Sequence, residues 1–248
     1  MTRETQPSFA VIVPAYNEEQ GIQACVRAID ATLALLPNRT QLIVVDDGSA
    51  DATAKRVESC LSAFPRLMLI RHSANQGYGA ALRSGVKGAA EGGFDYVVFM
   101  DSDLTNDPKY LGDFADAMSQ RADVVKATRR SAGGGYQGVP LRRILPATIG
   151  NAVARPLFGL PLRDSTNGYR AVRTDLLVGL DLKENGFAAI MEELYKLRRV
   201  ACRYIEVPVI LTGRSADLRP SMFDYRPRSL WRYMRYPLLA AVDRLLGR

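Results

Sequence analysis

The sequence predicts an α/β fold in which a mostly parallel, Rossmann-like mixed sheet is flanked by helices. Five short runs rich in Val and Ile are separated by longer segments with helical spacing, which is typical of βαβ units. The predicted strands lie at residues 9–14, 41–45, 67–71, 96–100 and 124–128. Polar motifs follow three of these runs directly, as expected for a parallel sheet that binds its ligand at the carboxyl edge.

Segments between and after these strands predict helices. In residues 18–36 the apolar side chains recur at steps of three and four residues, so that one face can be buried. These residues are Ile22, Val26, Ile29 and Leu33. Further helices are predicted at 141–158 (despite Pro146), 176–182 and 188–197, and a late strand at 204–211. The glycine-rich stretch 131–138 predicts a flexible loop, either a linker or a lid over the ligand edge.

Composition limits the chemistry. The chain has 248 residues, 47% hydrophobic and 24% charged, which suits one large globular domain with a small appendage. A single histidine, His72, excludes a His-rich zinc site and leaves carboxylates as the plausible metal ligands, which favour Mg²⁺ or Mn²⁺. Three scattered cysteines, no signal-peptide core and no apolar run of roughly 18 residues predict a cytoplasmic protein.

The basic excess lies in the C-terminal tail. From Arg214 onward there are eight Arg and three Asp, a net charge of +5 against +7 for the whole chain. Residues 228–248 predict an amphipathic helix that Pro237 kinks or splits. Its apolar residues are Leu230, Trp231, Met234, Leu238, Val242 and Leu245, and its basic residues include Arg228, Arg232 and Arg235. This pattern suits a helix on a membrane surface, and the alternative is packing against the rest of the protein.

Two polar motifs follow the first two strands. Pro14 ends the first strand, Asn17 is a candidate helix cap, and Tyr16 is an aromatic ring on which a base could stack. Asp46 and Asp47 close the second strand. Because burying adjacent acids without partners is costly, one is expected to cap the next helix and the other to accept hydrogen bonds from a nucleobase or ribose.

A third motif follows the fourth strand, where Asp101 and Asp103 stand one residue apart. A strand that ends in this way delivers two carboxylates to the ligand edge of the sheet, where both can face one cation. Such a cation would bridge diphosphate oxygens and neutralise charge on a leaving nucleotide. An Asp-x-Asp triplet alone is common, but its place after a buried strand and third in an ordered series makes it specific.

These motifs, at residues 14–18, 45–49 and 101–103, resemble the successive signatures of family-2 glycosyltransferases of the GT-A fold. More narrowly, the chain resembles the dolichol-phosphate mannose synthase group of polyprenyl-phosphate glycosyltransferases. Supporting segments are 75–81, 166–170 and 186–187 leading to Glu192. The resemblance implies a GT-A catalytic domain at 1–215, followed at 216–248 by basic amphipathic helices on the cytoplasmic face of a membrane.

The resemblance also implies roles for individual residues. The nucleoside would be contacted by Pro14, Tyr16, Glu18, Val45 and Asp47. Asp101 and Asp103 would hold Mg²⁺ or Mn²⁺, and Ser102 would touch the nucleotide through its backbone. Arg129 would meet a phosphate, Arg214 would meet the diphosphate or the acceptor phosphate, and Glu192 would belong to the site.

Two departures from that group concern the sugar and the acceptor. Thr105 stands where mannose synthases usually carry a Gln that assists the metal, and Ser221-Met222 replaces their Ser-Lys pair. The donor therefore stays open between GDP-mannose, which is favoured, and a UDP-sugar. Gly77-Tyr78-Gly79 lacks the third glycine of a dinucleotide fingerprint. His72 is expected to be structural, and for Glu193 a surface position and a site role both stay open.

The expected activity is transfer of a hexose from a nucleotide-diphosphate sugar to a polyprenyl phosphate, by direct displacement with inversion. The acceptor phosphate oxygen is already anionic, so no strong base is needed. One alternative is a family-2 transferase that uses a glycan or a small soluble acceptor, and another is an inactive nucleotide-sugar-binding subunit. A nucleic-acid partner is not expected, because the aromatic residues of the tail sit with Leu and Val.

Overall fold

The computed structural model describes residues 6–215 and 226–247, and it is built around a mixed sheet. In chain order the strands of this sheet are β1 (Phe9–Ala15), β2 (Thr40–Asp46), β3 (Leu67–Arg71), β4 (Tyr96–Phe99), β5 (Val124–Thr128), β7 (Arg170–Arg173) and β8 (Tyr204–Pro208). Two further strands, β6 (Gly135–Gln137) and β9 (Ile210–Thr212), form a separate parallel pair. The predicted bounds of the first five strands agree with these to within one residue at each end.

The helices lie between and after the strands. They are α1 (Ile22–Leu33), α2 (Thr53–Glu58), α3 (Tyr78–Glu91), α4 (Leu111–Ser119), α5 (Leu141–Phe158), α6 (Thr174–Val178), α7 (Ala189–Leu197) and α8 (Pro227–Leu245). The helix predicted at 141–158 has the predicted bounds. Among residues 6–215 and 226–247, no helix combines the length and the apolar character needed to cross a bilayer.

The strand order is β3-β2-β1-β4-β7-β5-β8. Neighbours pair in parallel except for β7, which lies antiparallel between β4 and β5. The prediction of a mostly parallel mixed sheet flanked by helices is therefore confirmed. The sequence did not predict β7, because it is only four residues long and begins and ends with arginine.

The sheet separates two apolar cores, and β1 shows why. Side chains of a strand alternate between its faces. Phe9, Val11 and Val13 enter the core that also contains buried residues of α1 and α4, whereas Ala10 and Ile12 enter the core on the side of α3. Because both faces are buried, β1 has a continuous apolar sequence, and its carboxyl end is where the chain first meets polar residues.

The C-terminal helix α8 packs against α5 and α7 and is not interrupted at Pro237. Tyr233, Tyr236 and Ala240 are buried in a third apolar cluster shared with those two helices. The predicted apolar face points elsewhere: Trp231 is 63% exposed and Val242 is 49% exposed. The packing of α8 against the rest of the protein is therefore confirmed for one face, and the placement of its exposed apolar side chains on a membrane surface stays a prediction.

The glycine-rich stretch predicted as a flexible loop is partly a strand. Within 131–138, Gly135–Gln137 forms β6, whose partner β9 comes from the second half of the predicted late strand. That late strand is divided at Val209, which is buried in the core between β8 and β9. A pairing between segments so distant in the chain leaves no local pattern, so the prediction of an unstructured loop was wrong for these residues.

Candidate active site

A cavity of about 310 Å³ opens at the carboxyl ends of β1, β2 and β4. Its lining includes most of the predicted site residues, namely Pro14, Tyr16, Glu18, Asp47, Asp101, Ser102, Asp103 and Arg214. Residues from the supporting segments complete it, among them Asn75, Gly77, Tyr78, Gly186 and Phe187. The structure therefore brings together the three motifs that the sequence places far apart.

Asp101 and Asp103 form the acidic centre of the cavity. Burial, and then the charge of Asp103, raise the pKa of Asp101 to about 6, although Arg170 and Arg214 oppose the shift. Thr105 donates to Asp103 Oδ1 through its hydroxyl at 2.7 Å and through its backbone N–H at 3.1 Å. Thr105 thus holds the Asp103 carboxylate through Oδ1. The other oxygen, Oδ2, is not bonded to Thr105.

Arg214 is the basic side chain of the cavity lining. Its Nη2 donates to Glu18 Oε1 at 3.1 Å, and its Nη1 lies 3.6 Å from Asp103 Oδ2. Among the described residues its buried Nε has no hydrogen-bond acceptor. Arg214 therefore connects the first motif to the third and retains a donor that an anionic ligand could use.

The charge of the lining fits a divalent cation. Four carboxylates (Glu18, Asp47, Asp101 and Asp103) face one guanidinium, that of Arg214. A diphosphate would be repelled by this surface unless a cation came with it. Within the described part of the chain no cluster of three or more His, Cys, Asp or Glu could hold a metal, so other ligands would come from the substrate or water. Hard carboxylate oxygens are the ligands that Mg²⁺ and Mn²⁺ take.

Asp47 is more constrained than the sequence suggested. Its carboxylate accepts hydrogen bonds from Gln76 N at 2.9 Å and Gly77 N at 2.8 Å, and it lies 2.7 Å from His72 Nδ1. It thereby fixes the loop that leads into α3. Asp47 still lines the cavity, so a contact with the nucleoside stays a prediction, although protein donors already occupy part of its acceptor capacity. The buried His72 also contacts Ser84 Oγ at 2.8 Å, which fits a structural role.

Two predicted helix caps differ in the structure. Asn17 has a φ of 53° and its side chain accepts from Ala50 N, so it joins two loops, and Gly21 precedes α1 instead. Asp46 accepts from Ser49 N at 3.3 Å, whereas Asp51 accepts from Thr53 N at the start of α2. Side chains of these short loops thus connect the segments that follow β1 and β2.

The start of α3 lies tightly against the segment 184–187, which forms the opposite wall. Gly77 has a φ of +98°, and a Cβ on it would stand 2.4 Å from Asn185 O. A Cβ on Gly79 would stand 2.1 Å from Glu184 O, while Gly79 N donates to Asn185 O. Side chains at either glycine would force the two walls apart, which explains the Gly-x-Gly pattern without a dinucleotide.

Val45 and Glu192 do not line the cavity. The Val45 side chain is fully buried in the apolar core, so it cannot touch a nucleoside. Glu192 is also buried, where it accepts hydrogen bonds from Lys183 N and Glu184 N and pairs with Lys196 at 3.0 Å. It thus holds the segment that leads to Gly186 and Phe187, and a direct contact with substrate stays a prediction.

Arg129 also lies outside the cavity lining. It follows β5 and forms a buried two-pronged ion pair with Asp164, with Nε to Oδ2 at 2.6 Å and Nη2 to Oδ1 at 2.7 Å. Its Nη2 also donates to Thr166 Oγ1 at 2.9 Å. Burial disfavours the charge, but Asp164 outweighs it and raises the pKa of Arg129. A contact with phosphate stays a prediction.

Sequence reasoning missed the residues behind Asp101. Arg170 and Glu193 form a buried ion pair, so the surface position considered for Glu193 is wrong. Tyr78 lines the cavity and stacks on Phe187 with 4.7 Å between ring centroids. A buried arginine inside a strand requires a buried acid as its partner, and this requirement is what could have pointed to a buried Glu or Asp near Arg170. The sequence alone does not say which acid supplies it.

The fold and this arrangement define an acidic cavity at the carboxyl edge of an α/β sheet. The chain belongs to glycosyl transferase family 2, whose sequence model matches residues 10–179. The family assignment made from the three motifs is therefore confirmed.

The chain is similar in sequence to curated enzymes whose names refer to polyprenol, undecaprenyl phosphate or dolichol phosphate. It is 26% identical to polyprenol monophosphomannose synthase of Mycolicibacterium smegmatis, over 99% of this chain and 92% of that one. It is 30% identical to undecaprenyl-phosphate mannosyltransferase of Micrococcus luteus, over 82% and 83% of the two chains. Dolichol-phosphate mannosyltransferase of Pyrococcus furiosus is 28% identical over 96% of this chain and 66% of that longer protein.

Solved structures share the fold. Glucosyl-3-phosphoglycerate synthase from Mycobacterium tuberculosis, crystallised with Mn²⁺, UDP-glucose and phosphoglyceric acid, matches with a TM-score of 0.67 and 23% identity. The match covers 95% of this chain and 80% of that one. S. aureus TarS 1–349 with UDP-GlcNAc has a TM-score of 0.64 and 21% identity, over 94% and 66% of the chains. At such identities the likeness concerns the fold alone.

Proposed function

We propose that this protein is a metal-dependent, inverting hexosyltransferase that moves a sugar from a nucleotide-diphosphate sugar to a polyprenyl phosphate. The observation that carries the proposal is the cavity lining, in which four carboxylates face one arginine at the carboxyl edge of the sheet. A diphosphate needs a cation to enter such a site, and Asp101 and Asp103 are the residues that would hold it.

Mg²⁺ or Mn²⁺ at these carboxylates would neutralise the negative charge that develops on the departing nucleoside diphosphate. The chain's own residues would position the donor. The half-buried ring of Tyr16 offers a stacking surface for the base, and Arg214 offers a cationic donor near the diphosphate. An anionic oxygen of the acceptor phosphate attacks the anomeric carbon, its new C–O bond forms as the bond to the diphosphate breaks, and the configuration inverts. Catalysis then consists mainly of orientation and charge stabilisation.

The choice of donor rests on the relatives. Three of them carry mannosyltransferase or mannose synthase names, which supports a mannosyl donor, with GDP-mannose favoured. Thr105 hydrogen-bonds to Asp103, where the resembled group usually has a metal-assisting Gln, so a UDP-sugar remains the second candidate.

A second cavity supports a lipid acceptor. A groove of about 610 Å³ lies between α5 and α8 and is lined by apolar side chains, including Leu145, Ile149, Val153, Leu230, Met234 and Leu238. Several of these are unusually exposed for their size, and Leu145 is 62% exposed. Thr166 also lines the groove and accepts from Arg129, whose charge is compensated by the buried Asp164. An apolar groove of this size suits a polyprenyl chain.

The same two helices support association with a membrane surface. Exposed apolar residues on α8 are accompanied by exposed arginines at 228, 232 and 235. A helix of this kind binds the boundary between headgroups and acyl chains, and anionic lipid strengthens the attraction. We place the protein at the cytoplasmic face, where the nucleotide sugar would be supplied.

The cation requirement gives the sharpest test. GDP and UDP are titrated into the protein by calorimetry, with Mn²⁺ or with EDTA, and guanosine and uridine serve as controls without phosphates. We expect at least one diphosphate to bind about 100-fold more tightly with Mn²⁺, because the cation contributes several kcal/mol. The nucleosides should show no such dependence. Equal binding of both diphosphates with Mn²⁺ and with EDTA would overturn the proposal.

A further inference from the structure

Arg214 is attached to the cavity through its side chain. Its Nη2 donates to Glu18 Oε1 at 3.1 Å and to Glu18 Oε2 at 3.3 Å, and its Nη1 lies 3.6 Å from Asp103 Oδ2. The guanidinium thus reaches from the first motif to the third, and only 10% of the side chain is exposed. Glu18 and Asp103 can hold the charge of Arg214 in this way only while its backbone stays within reach of both.

The backbone that carries Arg214 follows the parallel pair of strands β6 and β9. Strand β9 ends at Thr212, two residues before Arg214, and β6 runs beside it. The first residue of β9 is held from another part of the protein, because Ile210 N donates to the hydroxyl of Tyr110 at 2.9 Å. The pair of strands is therefore anchored before the chain reaches Arg214.

Thr212 connects this pair of strands to the loop that carries Asp103. Its backbone N–H donates to Thr105 O at 2.9 Å, and its hydroxyl donates to the same oxygen at 3.2 Å. Thr105 in turn donates to Asp103 Oδ1 through its own hydroxyl at 2.7 Å. Thr105 therefore supports Asp103 directly and Arg214 through the neighbouring strand.

Gly213 lies between this strand pair and Arg214 and is tightly packed. Its N–H donates to Gln137 O at 2.8 Å, and a Cβ on it would stand 2.4 Å from Gly138 O and 3.0 Å from Gly138 C. Both of these atoms belong to the backbone, so no side chain could turn away to make room. The close approach therefore requires glycine, and it sets the position from which the Arg214 side chain begins.

We propose that the β6–β9 pair is a support that positions Arg214 for the diphosphate of the donor, with Thr212 and Gly213 as positioning residues. This inference rests on the proposed function, which brings a diphosphate into the cavity. The buried Nε of Arg214 has no acceptor among the described residues, so the guanidinium retains a donor for a phosphate oxygen. Hydrogen bonds between charged groups are short and directional, and a shift of the backbone that carries Arg214 would weaken them.

Calorimetric titration with GDP and UDP in the presence of Mn²⁺ tests the support. Gly213→Ala places a methyl group against the backbone of Gly138, and we expect it to weaken binding of the preferred diphosphate by about tenfold. The matched control is Gly135→Ala in the same pair of strands, because a Cβ there would meet no atom within 4 Å beyond the adjoining residues. That control should bind the diphosphate like the wild type. Guanosine and uridine, which lack phosphates, should bind equally to all three proteins.

A milder change keeps the test decisive if Gly213→Ala does not fold. Thr212→Val removes the hydroxyl that donates to Thr105 O but keeps the shape of the side chain, and we expect diphosphate affinity to fall by about three- to tenfold. Thr212→Ser retains a hydroxyl and should bind the diphosphate nearly as well as the wild type. Thermal unfolding of each variant reports its stability.

A double-mutant cycle with Arg214→Gln separates positioning from a general structural effect. If the support acts through Arg214, adding Gly213→Ala or Thr212→Val to Arg214→Gln should not weaken diphosphate binding further. Additive losses, an equal loss in Gly135→Ala, or wild-type affinity in both support variants would overturn the inference. Binding by the wild type that is equal with Mn²⁺ and with EDTA would instead refute the proposed metal site and leave the cycle decisive. A wild type that binds neither diphosphate would refute the proposed function and this inference together.

Discussion

The cavity at the sheet edge and the groove between α5 and α8 differ in how their side chains are satisfied. In the cavity, polar side chains accept hydrogen bonds from other parts of the protein: Asp47 from two backbone N–H groups and Asp103 from Thr105. In the groove, apolar side chains such as Leu145 and Leu238 are exposed. The first region is organised by the protein itself, whereas the second exposes apolar side chains within the described part of the chain.

One segment connects the two regions. The backbone N–H of Glu184 is held by Glu192, and its carboxylate accepts from Arg235 at 2.7 Å and from the Tyr236 hydroxyl at 3.1 Å on α8. Phe187, three residues later, lines the cavity. Helix α8, which exposes apolar residues, is therefore hydrogen-bonded to the segment that forms one wall of the cavity. The cavity is acidic and the groove is apolar, yet the two are connected.

The largest expected effect belongs to the cavity. Asp101→Asn keeps the shape of the side chain but removes a charge that would hold the cation. We expect transfer to fall by about 10³-fold, the equivalent of several kcal/mol of charge stabilisation, while vesicle binding is unchanged. Initial rates with Mn²⁺ measure the loss. Asp116→Asn, at an exposed position of α4, is the control and should keep its rate. Wild-type activity in Asp101→Asn would contradict the assignment of transfer to the cavity and of vesicle binding to the groove.

Substitutions on the exposed side of α8 should reduce vesicle binding and leave nucleotide affinity unchanged, and the effect should be smaller than that of Asp101→Asn. In the double variant Leu238→Glu/Val242→Glu, two exposed apolar residues of α8 become charged. We expect binding to anionic lipid vesicles to fall by about tenfold or more, since burying one leucine contributes roughly 1.5–3 kcal/mol. Nucleotide affinity with Mn²⁺ should be unchanged. Sedimentation with vesicles measures the first quantity and calorimetry the second.

A matched control for the groove is Leu35→Glu, because Leu35 follows α1 and is 84% exposed. It introduces one of the two negative charges of the α8 variant, at an exposed leucine outside α5 and α8. If Leu35→Glu reduced vesicle binding as much as the α8 variant, or if neither did, the groove would not be a membrane-facing surface.

Local periodicity predicted the frame of the protein and the position of the cavity. The bounds of β3 and β5 agree with the sequence pattern, because a strand in a covered sheet leaves a short apolar run, and the bounds of α5 agree as well although much of its apolar side is exposed. Motifs at strand ends converge because parallel strands end at one edge. Asp101 and Asp103 could therefore be placed in a shared cavity before the structure was known.

Contacts between distant segments could not be predicted in this way. Strand β6 pairs with β9, and the buried Arg170 of β7 is paired with Glu193 of α7. Arg129 looks available for phosphate in the sequence, but Asp164 already holds it. Asp103 looks free as well, yet Thr105 hydrogen-bonds to one of its oxygens. Partners of this kind depend on the tertiary fold, so a motif predicts which residues meet but not which of their atoms remain available.

Transfer itself is measured most directly with a panel of labelled sugar nucleotides, including GDP-mannose and UDP-glucose, on a short polyprenyl phosphate with Mn²⁺. We predict that one donor gives a polyprenyl-phosphate sugar with inverted anomeric configuration, and that EDTA abolishes its formation. Transfer that persists without any divalent cation, or that reaches only a soluble acceptor, would contradict the assignment of the acidic cavity to metal-dependent transfer onto a lipid phosphate.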